Sequence, residues 1–205
     1  TEDRYQSFLD GLLSWTGFRS SNVAYIDVGG EHRISVFVTD DGELSLRFGA
    51  TESALNQESV ERIEQRFSEL LGQAHPGDWV HLGGSLPEGM PAASFGNRIQ
   101  QAKAKGLRGA FDFSLNQTSE QIESALAVLG GQDLIKPNLE EFAKLRLIAD
   151  GQHDGLPLEE LNSRAREEAA TYRWQPERIA RDAQRLRERW PVGTMVVSAD
   201  RDGAV

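Results

Sequence analysis

The spacing of apolar residues divides the chain into three kinds of segment. Residues 4–16 carry apolar side chains at helical spacing, and Gly17 is a suitable stop signal. Between residues 22 and 48 apolar and polar residues alternate, as in strands that expose one face. Asp41-Gly42 separates two of these segments and predicts a hairpin turn. From residue 58 onward helical and strand patterns alternate, which predicts a parallel sheet with right-handed crossovers.

The alternating part gives a set of specific elements. We predict helices over 58–72, from Pro91 to about 105, over 119–129 and from Asn138 onward, and strands over 79–82, 107–113, 134–135 and 195–198. Residues 149–190 are rich in Glu and Arg, and their spacing predicts two exposed helices, at about 158–172 and 176–189.

Composition and charge limit the possible function classes. The chain has 205 residues, of which 39% are apolar, enough for an α/β domain with a sizeable core. Its formal net charge of −10 argues against non-specific nucleic-acid binding, which needs clustered Lys and Arg, but it permits a local phosphate site. The absence of cysteine excludes thiol chemistry and suits the cytoplasm. No apolar run approaches membrane-spanning length, so we expect a cytoplasmic protein without a membrane partner.

A glycine-rich loop follows the predicted strand 79–82 directly. It begins Gly83-Gly84-Ser85 and leads toward a helix. Ligands of parallel sheets bind beyond the carboxyl ends of the strands, where glycine lets a backbone N–H approach an anion. The hydroxyl of Ser85 can donate to a phosphate or sugar oxygen. An ordinary strand-to-helix turn explains the same residues equally well.

Two further predicted strands end in polar side chains. Asp112 and Ser114 end the strand 107–113, and a cap or turn is the better explanation for Ser114. Lys136 follows the strand 134–135, and Asn138 and Glu141 share one face of the next helix's first turn.

A helix start of this kind attracts phosphate, and a nearby carboxylate can hold magnesium through water. A capping box between Asn138 and Glu141 explains Glu141 equally well. Arg33 lies in the polar patch Glu31-His32-Arg33, where its guanidinium suits a bidentate phosphate contact, although an exposed Arg on a sheet is usually only solvated. The four histidines show no metal-ligand spacing.

Taken in order, these motifs resemble the ribokinase-like (phosphofructokinase-B) carbohydrate kinases, and most closely the phosphofructokinase and tagatose-6-phosphate kinase branch. The matching segments are Gly84-Ser85-Leu86-Pro87-x-Gly89, Asp112-x-Ser114, Lys136-Pro137-Asn138-x-x-Glu141, and Val196-Val197-Ser198 followed by Asp202-Gly203-Ala204-Val205. The similarity covers the central portion of the family pattern. The segment 147–174 has no counterpart and is interpreted as a helical insertion.

The resemblance implies a doubly wound α/β fold with a mainly parallel sheet and a small antiparallel β lid. It places the kinase core at 1–21 and 49–205 and the lid at 22–48, which in relatives often forms the contact of a homodimer. The cofactors that it implies are ATP and Mg²⁺. By position, the implied sugar-phosphate residues are Arg33, Gly84 and Ser85, the implied nucleotide residues are Lys136, Asn138, Ser198 and Gly203, and the implied magnesium-linked residue is Glu141.

Several departures from the family pattern shape the functional hypothesis. The opening strand with its substrate-binding Asp, and the Gly-Ala-Gly-Asp segment with the catalytic base, have no match in this chain. Ala199-Asp200 stands where relatives usually have Gly, and Leu115-Asn116 replaces a Ser-Gly turn. We therefore expect the parent protein to transfer the ATP γ-phosphoryl group to a hydroxyl of a fructose- or tagatose-type sugar phosphate, and this chain alone to be inactive.

Two other interpretations remain open. The chain could be a degenerate, catalytically inactive module of the same fold that binds a sugar phosphate or a partner protein. It could also be a flavodoxin-like or other doubly wound protein whose motifs match by chance.

Overall fold

A computed structural model describes residues 35–40, 43–49, 54–173, 175–199 and 203–205. The chain divides into two compact units, Thr1–Glu69 and Leu70–Val205. Arg33, the predicted helix 4–16 and the first part of the predicted lid lie outside the described residues.

The first unit contains an antiparallel strand pair. Strand β1 spans Ser35–Asp40 and β2 spans Glu43–Gly49, with Asp40 opposite Glu43 at the turn and Ser35 opposite Gly49 at the far end. The register shifts between Val38 and Thr39, as at a β-bulge. The predicted hairpin pairing is confirmed, while its role as a lid and a dimer contact stays a prediction.

Helix α1, Gln57–Gln73, confirms the helix predicted over 58–72. The side-chain oxygen of Asn56 accepts from the backbone N–H of Ser59 at 2.9 Å. This bond satisfies one of the N–H groups that have no acceptor within the helix.

The second unit is built on a parallel sheet whose described strands follow chain order. These are β3 (Trp79–Gly84), β4 (Arg108–Phe113), β5 (Leu134–Ile135) and β6 (Thr194–Met195). All three pairings are parallel, with Trp79 beside Arg108, Phe111 beside Ile135, and Ile135 beside Met195. The predicted alternation of strands and helices is therefore confirmed.

Five helices connect or follow these strands in the described part of the second unit. They are α2 (Ser94–Ala104), α3 (Ser119–Leu126), α4 (Leu139–Ala149), α5 (Leu158–Tyr172) and α6 (Pro176–Arg189). Helix α2 starts three residues after Pro91, because Pro91 opens a turn in which its carbonyl accepts from Ser94 N–H at 3.0 Å. In the described ranges, every helix is too short or too polar to cross a bilayer.

Strand β4 buries one of its faces more completely than the other. Along β4, Gly109, Phe111 and Phe113 are buried, whereas the alternate residues are half-buried. The rings of Phe95 and Phe111 meet edge to face, with centroids 5.3 Å apart. Helices α2 and α3 approach closely at Gly96, where a Cβ would lie 2.4 Å from the carbonyl oxygen of Ser124.

Helices α5 and α6 have the predicted bounds and most of their residues are exposed, as predicted, but neither helix is exposed all round. Each buries one face: α5 buries Leu161, Asn162, Ala165, Ala169 and Tyr172, and α6 buries Ile179, Asp182 and Leu186. The charged residues dominate the composition, yet a narrow apolar stripe at helical spacing is enough to dock a helix. The ring of Tyr172 packs against Phe142 of α4, with centroids 5.3 Å apart.

Candidate functional site

The predicted site residues of the second unit collect at one edge of the sheet. Because the strands are parallel, their carboxyl ends meet at the same edge. Gly83 pairs with Asp112, so the Ser85 loop and the end of β4 leave the sheet side by side. Beyond β6, Ser198 bridges to Asn138, and the Ser198 N–H donates to the Pro137 carbonyl at 2.9 Å. The loops after β3, β4, β5 and β6 therefore share this edge, as the sequence predicts.

Asp112 and Lys136 form the charged pair of this edge. Lys136 Nζ lies 3.9 Å from Asp112 Oδ2, and these side chains are 51% and 35% exposed, respectively. A pair at this distance and exposure is worth little to stability. The exposed ammonium of Lys136 is therefore only weakly held by Asp112.

The start of α4 is closed by a capping box. The Asn138 side chain accepts from Glu141 N–H at 3.0 Å, and the Glu141 carboxylate accepts from Asn138 N–H at 2.9 Å. The capping box that the sequence analysis offered as an explanation for Glu141 is therefore present in the structure. The box orients both side chains at the helix start, where the remaining free N–H groups and the helix dipole favour an anion.

Glu141 lies at this edge and has a shifted pKa. Burial is the main cause that raises its pKa from 4.5 to about 7, and the charge of Asp112 adds to the increase. The hydrogen bond from Asn138 and the charge of Lys136 oppose it. Near pH 7 Glu141 is therefore about half ionised. A carboxyl with a pKa raised in this way is a common mark of a functional site.

Glycines with left-handed backbone conformations shape two of the loops. Gly84 has φ +82° with nothing within 4 Å of an added Cβ, so the backbone conformation rather than space requires glycine. Gly203 has φ +97°, and its carbonyl accepts from Ala199 N–H at 2.8 Å. Val197 and Val205 exchange backbone hydrogen bonds.

Ser114 belongs to a tight turn, as the sequence favoured. Its hydroxyl oxygen accepts from Asn116 N–H at 3.3 Å, and its own N–H donates to Gln117 Oε1 at 3.0 Å. The Ser114 carbonyl also accepts from Gln117 N–H at 3.0 Å. Below this turn lies the buried ammonium of Lys144, which donates to the carbonyls of Leu115 and Gln117.

Comparison with known proteins identifies the fold. No family model matches the chain, and no curated protein matches its sequence. Among solved structures, the tetrameric inhibited form of phosphofructokinase-2 from Escherichia coli aligns over 97% of this chain and 54% of its own, at 24% identity and a TM-score of 0.61. The fold is ribokinase-like.

Two other structures of the same enzyme agree. The potassium complex aligns over 97% of this chain and 53% of its own, at 24% identity and a TM-score of 0.60. The fructose-6-phosphate complex aligns over 84% of this chain and 46% of its own, at 25% identity and a TM-score of 0.54. The predicted α/β fold with a mainly parallel sheet is confirmed, whereas the β lid stays a prediction. The chain spans about half the length of these structures, which fits the resemblance to a central portion.

In this ribokinase-like setting the edge carries donors that suit magnesium. Within the described residues no three His, Asp or Glu side chains gather to hold a metal ion by themselves. Magnesium keeps several waters, however, and is usually bound by one or two carboxylates together with substrate phosphates. Asp112 and Glu141 fit that donor set, because their charges interact and a cation would relieve the repulsion that helps to raise the pKa of Glu141.

Sequence reasoning missed Lys144 and Gln117. The sequence does carry a signal for Lys144, because Lys144 is the one charged residue in the run Phe142-Ala143-Lys144-Leu145. The structure buries all four of these residues. Gln117 carries no comparable signal, because its 1% exposure results from contacts distant in sequence.

Proposed function

We propose that the parent protein is an ATP-dependent kinase that phosphorylates a hydroxyl of a fructose- or tagatose-type sugar phosphate, and that this chain corresponds to its central part. The observation that carries the proposal is the meeting of the Ser85 loop, Asp112, Lys136 and the start of α4 at one edge of a parallel sheet. Phosphoryl transfer depends mainly on positioning and charge stabilisation, and Lys136 with the α4 start would contribute to the charge stabilisation. We propose the cytoplasm as its location.

Each residue has a proposed task. Gly84 and Ser85 bind the sugar phosphate, while Lys136 and the α4 N-terminus at Asn138 neutralise the ATP phosphates. Arg33 is proposed as a further phosphate ligand from the sequence resemblance alone. Ser198 and Gly203 contact the nucleotide. Asp112 and Glu141 would hold a magnesium ion, which supplies charge neutralisation of the phosphates when bound. We assign no catalytic base to this chain.

Calorimetry tests the binding roles one ligand at a time. We expect fructose 6-phosphate to bind, with Ser85→Ala weakening it, and Mg·ATP to bind, with Lys136→Ala weakening it by about tenfold, as for loss of one charged hydrogen bond. Lys105→Ala is the matched control, since Lys105 precedes β4 and so lies at the other end of the strands. Equal weakening by Lys105→Ala would contradict the proposal, and so would the failure of either ligand to bind.

A turnover assay tests the remaining part. We expect the 205-residue chain to phosphorylate neither fructose nor tagatose phosphates, because the segment with the family's catalytic base has no match in it. Measurable ATP-dependent product would refute this expectation. Reading the gene beyond the codon of Val205 gives an independent answer: a Gly-Ala-Gly-Asp segment supports the kinase.

A second candidate function is a catalytically inactive module that binds a sugar phosphate or a partner. The observation that favours it is the capping box, because Asn138 and Glu141 already bind each other's backbone N–H groups. Sugar-phosphate binding without any Mg·ATP binding would select this candidate.

A further inference from the structure

The buried side chain of Lys144 joins two parts of the second unit that are distant in sequence. It has 0% exposure and lies three residues after Glu141 in α4. Its ammonium donates to Leu115 O at 2.6 Å, to Gln117 O at 2.7 Å and to Asn162 Oδ1 at 2.8 Å. An ammonium has three donors, so these uncharged oxygens complete its hydrogen bonding.

The first two acceptors belong to the turn that follows the candidate site residue Asp112. Within the Ser114–Gln117 turn the N–H groups of Ser114, Asn116 and Gln117 are bound internally. The carbonyls of Leu115 and Gln117 instead point to Lys144. The position of the turn over α4 therefore depends on this ammonium.

The third acceptor belongs to α5. Asn162 is 6% exposed and follows Leu161 on the buried face of the helix. Asn is a poor helix former, and a buried amide needs a partner to offset its lost hydration. Lys144 is that partner, so Asn162 and Lys144 satisfy each other.

Stability alone is a weak explanation for this arrangement. Burial lowers the pKa of Lys144 from 10.5 to about 8, which means that the charged form is penalised in the interior. An apolar side chain at position 144 would avoid this penalty but would leave the three acceptor oxygens without a donor, so charge burial and hydrogen bonding offset each other in stability. The three directed hydrogen bonds instead specify the distance between the turn and α5.

We propose that Lys144 is a positioning residue: through its bond to Asn162, helix α5 fixes the Ser114–Gln117 turn and with it the carboxylate of Asp112. The link to ligand binding rests on the proposed function, whereas the link between α5 and the turn does not. Helix α5, which lies within the segment 147–174 interpreted from the sequence as an insertion, then supports the turn that follows Asp112.

Amide hydrogen exchange measured by NMR tests the structural link in the whole chain. Asn162→Leu removes the acceptor, and we expect exchange at Ser114, Asn116 and Gln117 to accelerate by about tenfold or more, the effect of losing a charged hydrogen bond. Asn162→Asp keeps an oxygen for Lys144 and should retain the protection. Leu161→Ala is the matched control, since it perturbs the neighbouring position of α5 without touching the ammonium.

The results separate the proposal from the proposed function. Unchanged exchange in Asn162→Leu, or equal acceleration in Leu161→Ala, overturns the structural link. Mg·ATP calorimetry then tests the consequence: weaker binding in Asn162→Leu that Asn162→Asp restores supports the positioning role. Accelerated exchange with undiminished Mg·ATP binding overturns the link to the site.

If the unmodified chain binds no Mg·ATP, the kinase proposal fails, and hydrogen exchange alone decides whether α5 holds the turn.

Discussion

Replacing Glu141 by Gln isolates the energetic cost of an ionised carboxylate at the start of α4. Gln keeps an oxygen that can accept from the Asn138 N–H, so the capping box survives while the charge is lost. The chain itself contains a box of this kind, because Thr118 and Gln121 cap α3 by the same pair of bonds. We therefore expect the variant to fold with its α4 start intact.

The size and sign of the effect follow from the pKa of Glu141, which rises from 4.5 to about 7 on folding. A raised folded pKa means that the native state holds more protons than the unfolded state between these values. The free energy of unfolding of the parent chain therefore falls as the pH rises from 4.5 to 7. Each pKa unit corresponds to about 1.4 kcal/mol, so the ceiling is about 3 kcal/mol, and partial exposure reduces our expectation to about 1–2 kcal/mol.

Urea unfolding at intervals from pH 4.5 to 8.5 measures this difference directly. We expect Glu141→Gln and the parent chain to be equally stable near pH 4.5, and the variant to be more stable by about 1–2 kcal/mol at pH 8. Glu140→Gln is the control, because its carboxylate lies in the same helical turn but is exposed. A stability difference that does not depend on pH, or one that grows toward low pH, would refute the reasoning.

Two further predictions concern packing and buried polar groups. Gly96→Ala should lower the free energy of unfolding by about 1–3 kcal/mol, because the new Cβ would meet Ser124 O at 2.4 Å. Gly72→Ala in α1 has open space and should instead raise it by up to about 1 kcal/mol, and urea unfolding that shows the same sign for both variants would contradict this contrast. Asp133→Ala should cost about 2–4 kcal/mol by the same assay, because buried Asp133 accepts from Gly109 N–H at 2.6 Å and Gly130 N–H at 2.7 Å. A cost below about 1 kcal/mol would show that water replaces the carboxylate.

The sequence by itself determined the order and type of the described elements of the second unit. Local rules suffice there, because Asn138 and Pro176 mark helix starts, and buried and half-buried residues alternate along β4. The order of strands and helices also fixed the parallel sheet and hence the single edge at which Ser85 and Asn138 lie.

Only the tertiary structure decided how the helices after α4 pack and what supports the site. The Glu- and Arg-rich composition of α5 and α6 concealed their buried stripes, because burial depends on which face meets a neighbour and not on average polarity. Likewise, Lys144 and Asn162 are 18 residues apart, and their bond exists only because α4 and α5 pack together. Hydrogen bonds and burial that depend on distant segments leave no periodic trace in the sequence, and these are the features that set the pKa of Glu141 and the position of the Ser114–Gln117 turn.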